Sequence, residues 1–144
     1  MPRIRKFQSI VLVLYIKFVI SSPLFAGTEQ DGPIRHIKEV VKFVGVFKSK
    51  VWSGGTILPG ETTFIMNDSN QIVGHFWYKE KKGPIKGLLS NCVRNNVARK
   101  IICKWSDKYG TGVANLDFSS DYSSFTGRWN LKGNTSTFPW TGKR

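Results

Sequence analysis

One five-residue pattern constrains this chain more than any other feature: an apolar residue, then glycine two places on, then a second apolar residue two places further. It occurs as Ile72-Val73-Gly74-His75-Phe76, Ile85-Lys86-Gly87-Leu88-Leu89 and Phe125-Thr126-Gly127-Arg128-Trp129. Shortened forms are Trp52-Ser53-Gly54 and Trp140-Thr141-Gly142. In a strand the first, third and fifth positions share a face, so each glycine sits beside large apolar groups on the buried side. Glycine weakens a strand, and its recurrence there needs a cause. The usual cause is sharp coiling of the sheet, or close approach of another backbone or ring. A sheet that curls around Trp and Phe makes a small barrel or a strongly curved sandwich.

The segments between punctuating residues agree with strands. Thr62–Asn67 and Gln71–Tyr78 flank Asp68-Ser69-Asn70, a hairpin turn by composition. Lys79–Pro84 is the next turn, followed by a strand over Ile85–Val93, an Asn95-Asn96 turn and a return over Ala98–Trp105. A Gly-rich turn spans Ser106–Gly112, strands cover Val113–Phe118 and Ser124–Leu131, and Phe138–Lys143 closes the chain. Tight turns at this spacing predict an all-β antiparallel meander of about seven or eight strands, with no parallel βαβ units. Residues 40–52 alternate as a strand does, while Ile34, Ile37, Val41 and Val44 also fall at helical spacing. The β-branched content favours the strand.

The first 26 residues follow a different plan. Arg3, Arg5 and Lys6 precede an apolar run from Ile10 to Ile20, interrupted by Lys17. Ser21-Ser22-Pro23 breaks the run, and Leu24-Phe25-Ala26 ends in a small residue before Gly27. This is the layout of a secretory signal peptide with cleavage after Ala26. The run is too short to span a bilayer, which needs about 20 apolar residues. Residues 27–144 then form a single β-barrel-like domain, with 27–33 a loose polar leader. Cleavage removes four basic residues and no acid, so the net charge of +13 falls to +9. The expected location is exported, either periplasmic or secreted.

The five Trp, ten Phe and four Tyr exclude ordinary disorder, which is poor in aromatics. Two cysteines are too few for a four-cysteine zinc site.

The meander, with Gly54-Gly55-Thr56 early, Gly110-Thr111-Gly112 before a strand, and Phe125-Thr126-Gly127-Arg128-Trp129 and Trp140-Thr141-Gly142 late, resembles a group of small exported bacterial β-proteins of no settled activity. Residues 60–78 are also similar to an early hairpin of avidin-type barrels, with a more distant likeness to lipocalins. The resemblance implies architecture over roughly residues 50–144 and no biotin site, because the motifs it rests on build barrels.

Cys92 and Cys103 lie on the two arms of one expected hairpin. In an oxidising compartment such a pair most often bonds, and a loop this short would stabilise by about 2–3 kcal/mol. A two-residue turn at Asn95-Asn96 would set Cys92 opposite Arg99. Direct pairing with Cys103 therefore requires a wider loop centred near Val97-Ala98, or a bulge. The alternatives are a buried thiol pair or, against the spacing, a redox pair.

Signs of catalysis are sparse. His36 and His75 are the only histidines, with no metal-binding spacing between them, so no metal or cofactor is expected. His75 alternates with Val73 and Trp77, away from the Gly74 face, which puts it on the outer surface. No Gly-x-Ser-x-Gly elbow and no phosphate-binding glycine loop occurs. A hydrolase is the third reading, behind two binding readings.

The first binding reading uses charge. Lys79, Lys81, Lys82 and Lys86 surround one turn, Arg94, Arg99, Lys100 and Lys104 the next hairpin, and Lys42, Lys48 and Lys50 form a third group. Such a surface attracts anionic lipid, lipopolysaccharide or glycan. Nucleic acid is disfavoured, since the chain is expected to be exported and lacks an RNA-binding aromatic motif or basic recognition helix. The second reading is a carrier of a small apolar ligand in an interior lined by Trp77, Trp105, Trp129 and Trp140. Core filling is the favoured role for the same four Trp, since large aromatics dominate small cores.

Overall fold

Period-two alternation decides the architecture. In the strand Ile72–Glu80, Ile72, Gly74, Phe76 and Tyr78 are buried, while His75, Trp77 and Lys79 face water. The computed structural model describes residues 38–144, all within one compact unit. The expected signal peptide 1–26, the leader 27–33 and His36 lie outside the described residues. The strands are β1 (Gly45–Ser53), β2 (Thr56–Met66), β3 (Ile72–Glu80), β4 (Gly83–Asn95), β5 (Lys100–Asp107), β6 (Gly110–Phe118), β7 (Ser124–Leu131) and β8 (Phe138–Lys143). Each pairs antiparallel with the next, and β8 returns to β1, so the meander is a closed barrel and not a sandwich.

Closure gives the barrel two ends. One carries the β1–β2, β3–β4, β5–β6 and β7–β8 turns, and the other carries the remaining turns and both ends of the described chain. Several turns are tighter than expected. Only Lys81 and Lys82 separate β3 from β4, and only Lys108 and Tyr109 separate β5 from β6. The β1–β2 turn is Gly54-Gly55, with φ of 56° and 89°, a left-handed pair that suits a two-residue hairpin. Trp52-Ser53-Gly54 is therefore a strand end running into a turn, not an in-strand glycine motif.

The in-strand glycines have a common setting. Gly74 lies opposite Phe64, Gly87 opposite Phe76, Gly127 opposite Leu116 and Gly142 opposite Phe125. A Cβ at Gly87 or Gly142 would strike the ring of its partner, and one at Gly127 would strike Leu116 and the Asn115 carbonyl. The glycines thus let large side chains lie across the neighbouring strand, which is how so many rings fit inside a small barrel.

The end without the tight turns is filled. Residues 38–41 form one helical turn that takes in the start of the strand expected over 40–52, with Phe43 N–H donating to the Val40 carbonyl and Val44 N–H to that of Val41. The reason is packing. A strand would send Val40 and Phe43 to opposite faces, whereas the turn buries both in the barrel end. Phe43 packs edge-on against Phe118 and Tyr122, with ring centroids 5.1 and 4.9 Å apart. Phe47, Phe64, Phe118 and Phe125 continue the cluster inward. Arg144 fastens this cap by donating to the carbonyls of Lys42 and Val44 at 2.8 and 3.0 Å, with its guanidinium 4.7 Å from the Phe47 ring.

Cys92 and Cys103 form a disulfide, with Cα atoms 4.1 Å apart. The register uses both devices that direct pairing requires. The β4–β5 loop is the four residues 96–99 instead of Asn95-Asn96, and a bulge shifts the pairing between Ser90 and Val93. Before the bulge the odd residues of β4 face inward. After it Cys92 does, where it meets the inward Cys103.

The outward face carries Lys48, Lys50, Lys86, Lys104, Asp117, Arg128 and Lys143, all exposed, while the interior is apolar. The same outward face also carries exposed apolar side chains, among them Val46, Ile65, Trp77, Leu88, Ile102 and Val113.

Candidate functional site

The other end of the barrel is hollow. A cavity of about 470 Å³ opens among the inward residues of β1, β3, β5, β7 and β8 next to the tight turns. Its wall is a chain of touching rings. Trp52 stacks on Phe138 at 4.1 Å and 9°, Phe138 meets Trp129 at 5.0 Å, and Trp129 meets Trp105 edge-on at 5.0 Å. Across the cavity Phe76 and Tyr78 lie parallel, and Phe76 meets Trp140 at 4.8 Å to make the floor. Under the floor is a small polar knot. Trp140 Nε1 donates to Thr62 Oγ1 at 3.1 Å, and Ser49 donates to the same oxygen at 2.7 Å. This knot satisfies the indole N–H and pins the Trp140 ring.

Aromatic N–H groups are treated unequally. Trp105 Nε1 donates to the Asn130 carbonyl at 2.9 Å, across a strand pair in which Trp105 lies opposite Gly112. A Cβ at Gly112 would strike both that carbonyl and the indole nitrogen. Trp129 Nε1 is buried and has no hydrogen-bond partner.

The mouth is polar and built from the ends of β3 and β5. Tyr78 donates its phenol to Asp107 Oδ2 at 3.0 Å, and the Tyr109 N–H donates to Asp107 Oδ1 at 2.8 Å. Tyr109 donates its own phenol to Glu80 Oε2 at 2.6 Å. The Lys108 ammonium stands 4.0 Å from Glu80 Oε2 and 4.7 Å from the Tyr109 ring centroid. Burial pushes the Tyr78 phenol well above its ordinary range, and the charges of Asp107 and Glu80 push the same way against a hydrogen bond involving Ser53. Tyr78 is therefore a neutral donor that holds Asp107 in place.

Of the four tryptophans expected at a pocket, Trp105, Trp129 and Trp140 line the cavity. Trp77 does not. It lies between the inward Phe76 and Tyr78, so alternation turns it to the outer face, where it is 37% exposed opposite Lys86. Trp52 lines the cavity although it shares the outward parity of Lys48 and Lys50, because its ring folds over the rim onto Phe138. Strand parity hides Trp52. Phe138, Tyr78 and Tyr109 carried no signal beyond being aromatic.

The basic residues are divided. Lys79, Lys81, Lys82 and Lys86 belong to the β3–β4 hairpin at the open end. Arg94, Arg99 and Lys100 surround the β4–β5 loop at the filled end, where Arg94 donates to Asn96 at 2.7 Å and Lys100 pairs with Asp117 at 3.3 Å. Lys104 stands on the outer face of β5 between them. Lys42 pairs with Glu39 at 2.7 Å, and Lys48 and Lys50 lie on the outside of β1, with Lys48 directly opposite Lys143. His75 is exposed on the outer face, and among the described residues no group of three His, Cys, Asp or Glu could hold a metal.

Comparison with family models, with curated proteins and with solved structures gives no match to this chain. The functional reading therefore rests on the ring-walled cavity itself.

Proposed function

We propose that the chain is an exported, non-catalytic binding protein that holds a small, flat, mainly apolar molecule in the open end of its barrel. The observation that carries this reading is the cavity of about 470 Å³ walled by stacked Trp, Phe and Tyr. That volume lies in the usual range of small-molecule sites, about 300–1,000 Å³. A flat ligand would gain both apolar burial and ring contacts there. The disulfide supports an oxidising, exported setting, periplasmic or secreted.

Native mass spectrometry of protein taken from its own compartment tests the reading. A reproducible extra mass that survives desalting is the expected result, with quenching of Trp fluorescence when the released molecule is added back. A bare mass together with unchanged fluorescence across a broad panel of flat ligands overturns it.

A second reading keeps the basic exterior as a surface for anionic lipid, lipopolysaccharide or glycan. The seam between β1 and β8 favours it, because Lys48 and Lys143 face one another across the strand pair and an anion would relieve their repulsion. Binding to anionic vesicles that falls steeply with salt is its expected signature, and binding indifferent to salt removes it.

A further inference from the structure

We infer that the cavity selects an organic cation, an amine or quaternary ammonium carried on a flat apolar body. This rests on the reading of the cavity as a small-molecule site and adds the sign of the ligand's charge.

The first ground is the sign of the lining. The chain has 22 Lys and Arg against 9 Asp and Glu. Yet the charged residues that line the cavity are Glu80 and Asp107, and no lysine or arginine lines it. An otherwise basic protein thus lines this aromatic hollow with two carboxylates, one of them, Glu80, with the Lys108 ammonium 4.0 Å away. A ligand anion there would face two carboxylates beside low-dielectric walls, where repulsion is strongest.

The second ground is how the carboxylates are held. Tyr78 and Tyr109 fix Asp107 and Glu80 through phenol hydrogen bonds, and these neutral donors orient the charges without cancelling them. Both the phenol contact and the lysine contact of Glu80 fall on Oε2.

The third ground is the ring faces. Cations are drawn to the faces of Trp and Tyr. The protein's own Lys108 already uses this setting, with its ammonium over the Tyr109 ring at 4.7 Å and beside Glu80 at 4.0 Å. Its side chain is 55% exposed, so it can swing into water and yield the place to a ligand ammonium.

Calorimetric titration of the disulfide-intact protein with naphthylethylamine, naphthylethanol and naphthylacetate tests this. These probes share one flat body and differ in charge. The amine is expected to bind about five-fold tighter than the alcohol, the gain of one exposed cation–π contact, and the acetate to bind least. Glu80→Gln keeps an acceptor for Tyr109 and is expected to bring the amine-to-alcohol ratio toward one. Lys108→Ala removes the internal competitor and is expected to raise it. Equal binding of amine and alcohol, preference for the acetate, or a ratio indifferent to Glu80→Gln overturns the assignment of charge and leaves the apolar cavity standing. Failure of all three probes to bind overturns the cavity reading, and this inference with it.

Discussion

Phe76 on β3 stands directly opposite Gly87 on β4, and its ring fills the space that any side chain at position 87 would need. The same ring meets Trp140 and Tyr78 and forms the floor of the cavity. One glycine therefore sets the depth of the candidate site. Gly87→Ala is expected to destabilise by about 1–3 kcal/mol, since the Cβ must displace a packed ring or the Ser106 carbonyl. The urea midpoint measures this. Adding Phe76→Leu should return part of the loss, and a double variant that merely sums the two single losses would show that ring and glycine are not coupled.

Trp105 and Trp129 touch edge-on in the cavity wall but differ in their N–H groups. Trp105→Phe removes the donor to the Asn130 carbonyl, whereas Trp129→Phe removes a buried donor that has no partner. Loss of the partnered N–H is expected to cost about 0.5–1.5 kcal/mol more than loss of the orphan one. Parallel denaturant unfolding of the two variants decides it, and equal losses would mean that the Trp129 N–H is satisfied in solution.

The Cys92–Cys103 bond closes a loop with a sequence separation of 11. Reduction, or Cys92→Ser with Cys103→Ser, is expected to lower stability by about 2–3 kcal/mol. The bulge at Ser90 to Val93 should persist, because it also sets which residues of β4 face inward. Amide exchange at Val93 and Ile102 reports on the register. Unchanged unfolding with and without reductant would sink the prediction.

Asp121 organises the β6–β7 turn beneath the filled end. Its Oδ1 accepts from the Ser119 hydroxyl at 2.6 Å, the Ser123 hydroxyl at 2.8 Å and the Ser123 N–H at 3.0 Å. The Ser119 hydroxyl first, then the two Ser123 donors, hold its carboxyl down to about 2 from an ordinary 3.8. A depressed carboxyl contributes stability that is present above its ordinary value and lost as pH falls through about 2. The turn also presents Tyr122 to Phe43, so acid should loosen the cap locally before the barrel opens. A proton titration followed at the Ser123 amide checks this. A midpoint at the ordinary 3.8 would contradict it.

Much of this was legible in the residues, for a physical reason. Strand alternation is local, so Ile72-Val73-Gly74-His75-Phe76 already assigns its own faces, and β7 and β8 run where punctuation places them. The turn around Asp68-Ser69-Asn70 is equally local, with Asn67 Oδ1 accepting from the Ser69 and Gln71 N–H groups. Trp77 follows the same rule outward, once its neighbours Phe76 and Tyr78 are seen to point in. Residues 38–41 escaped it, because their helical turn delivers the following Phe43 to Phe118 and Tyr122 far along the chain.

The sequence by itself determined that this chain makes an antiparallel meander with glycines on the buried face, because side-chain alternation and turn chemistry act over a few residues. Only the tertiary structure decided that the meander closes, that a bulge brings Cys92 to Cys103, and that one end is packed while the other stays hollow. Those outcomes depend on which rings meet across the barrel. Trp52 turns inward only because Phe138, on the last strand, offers it a face to stack on.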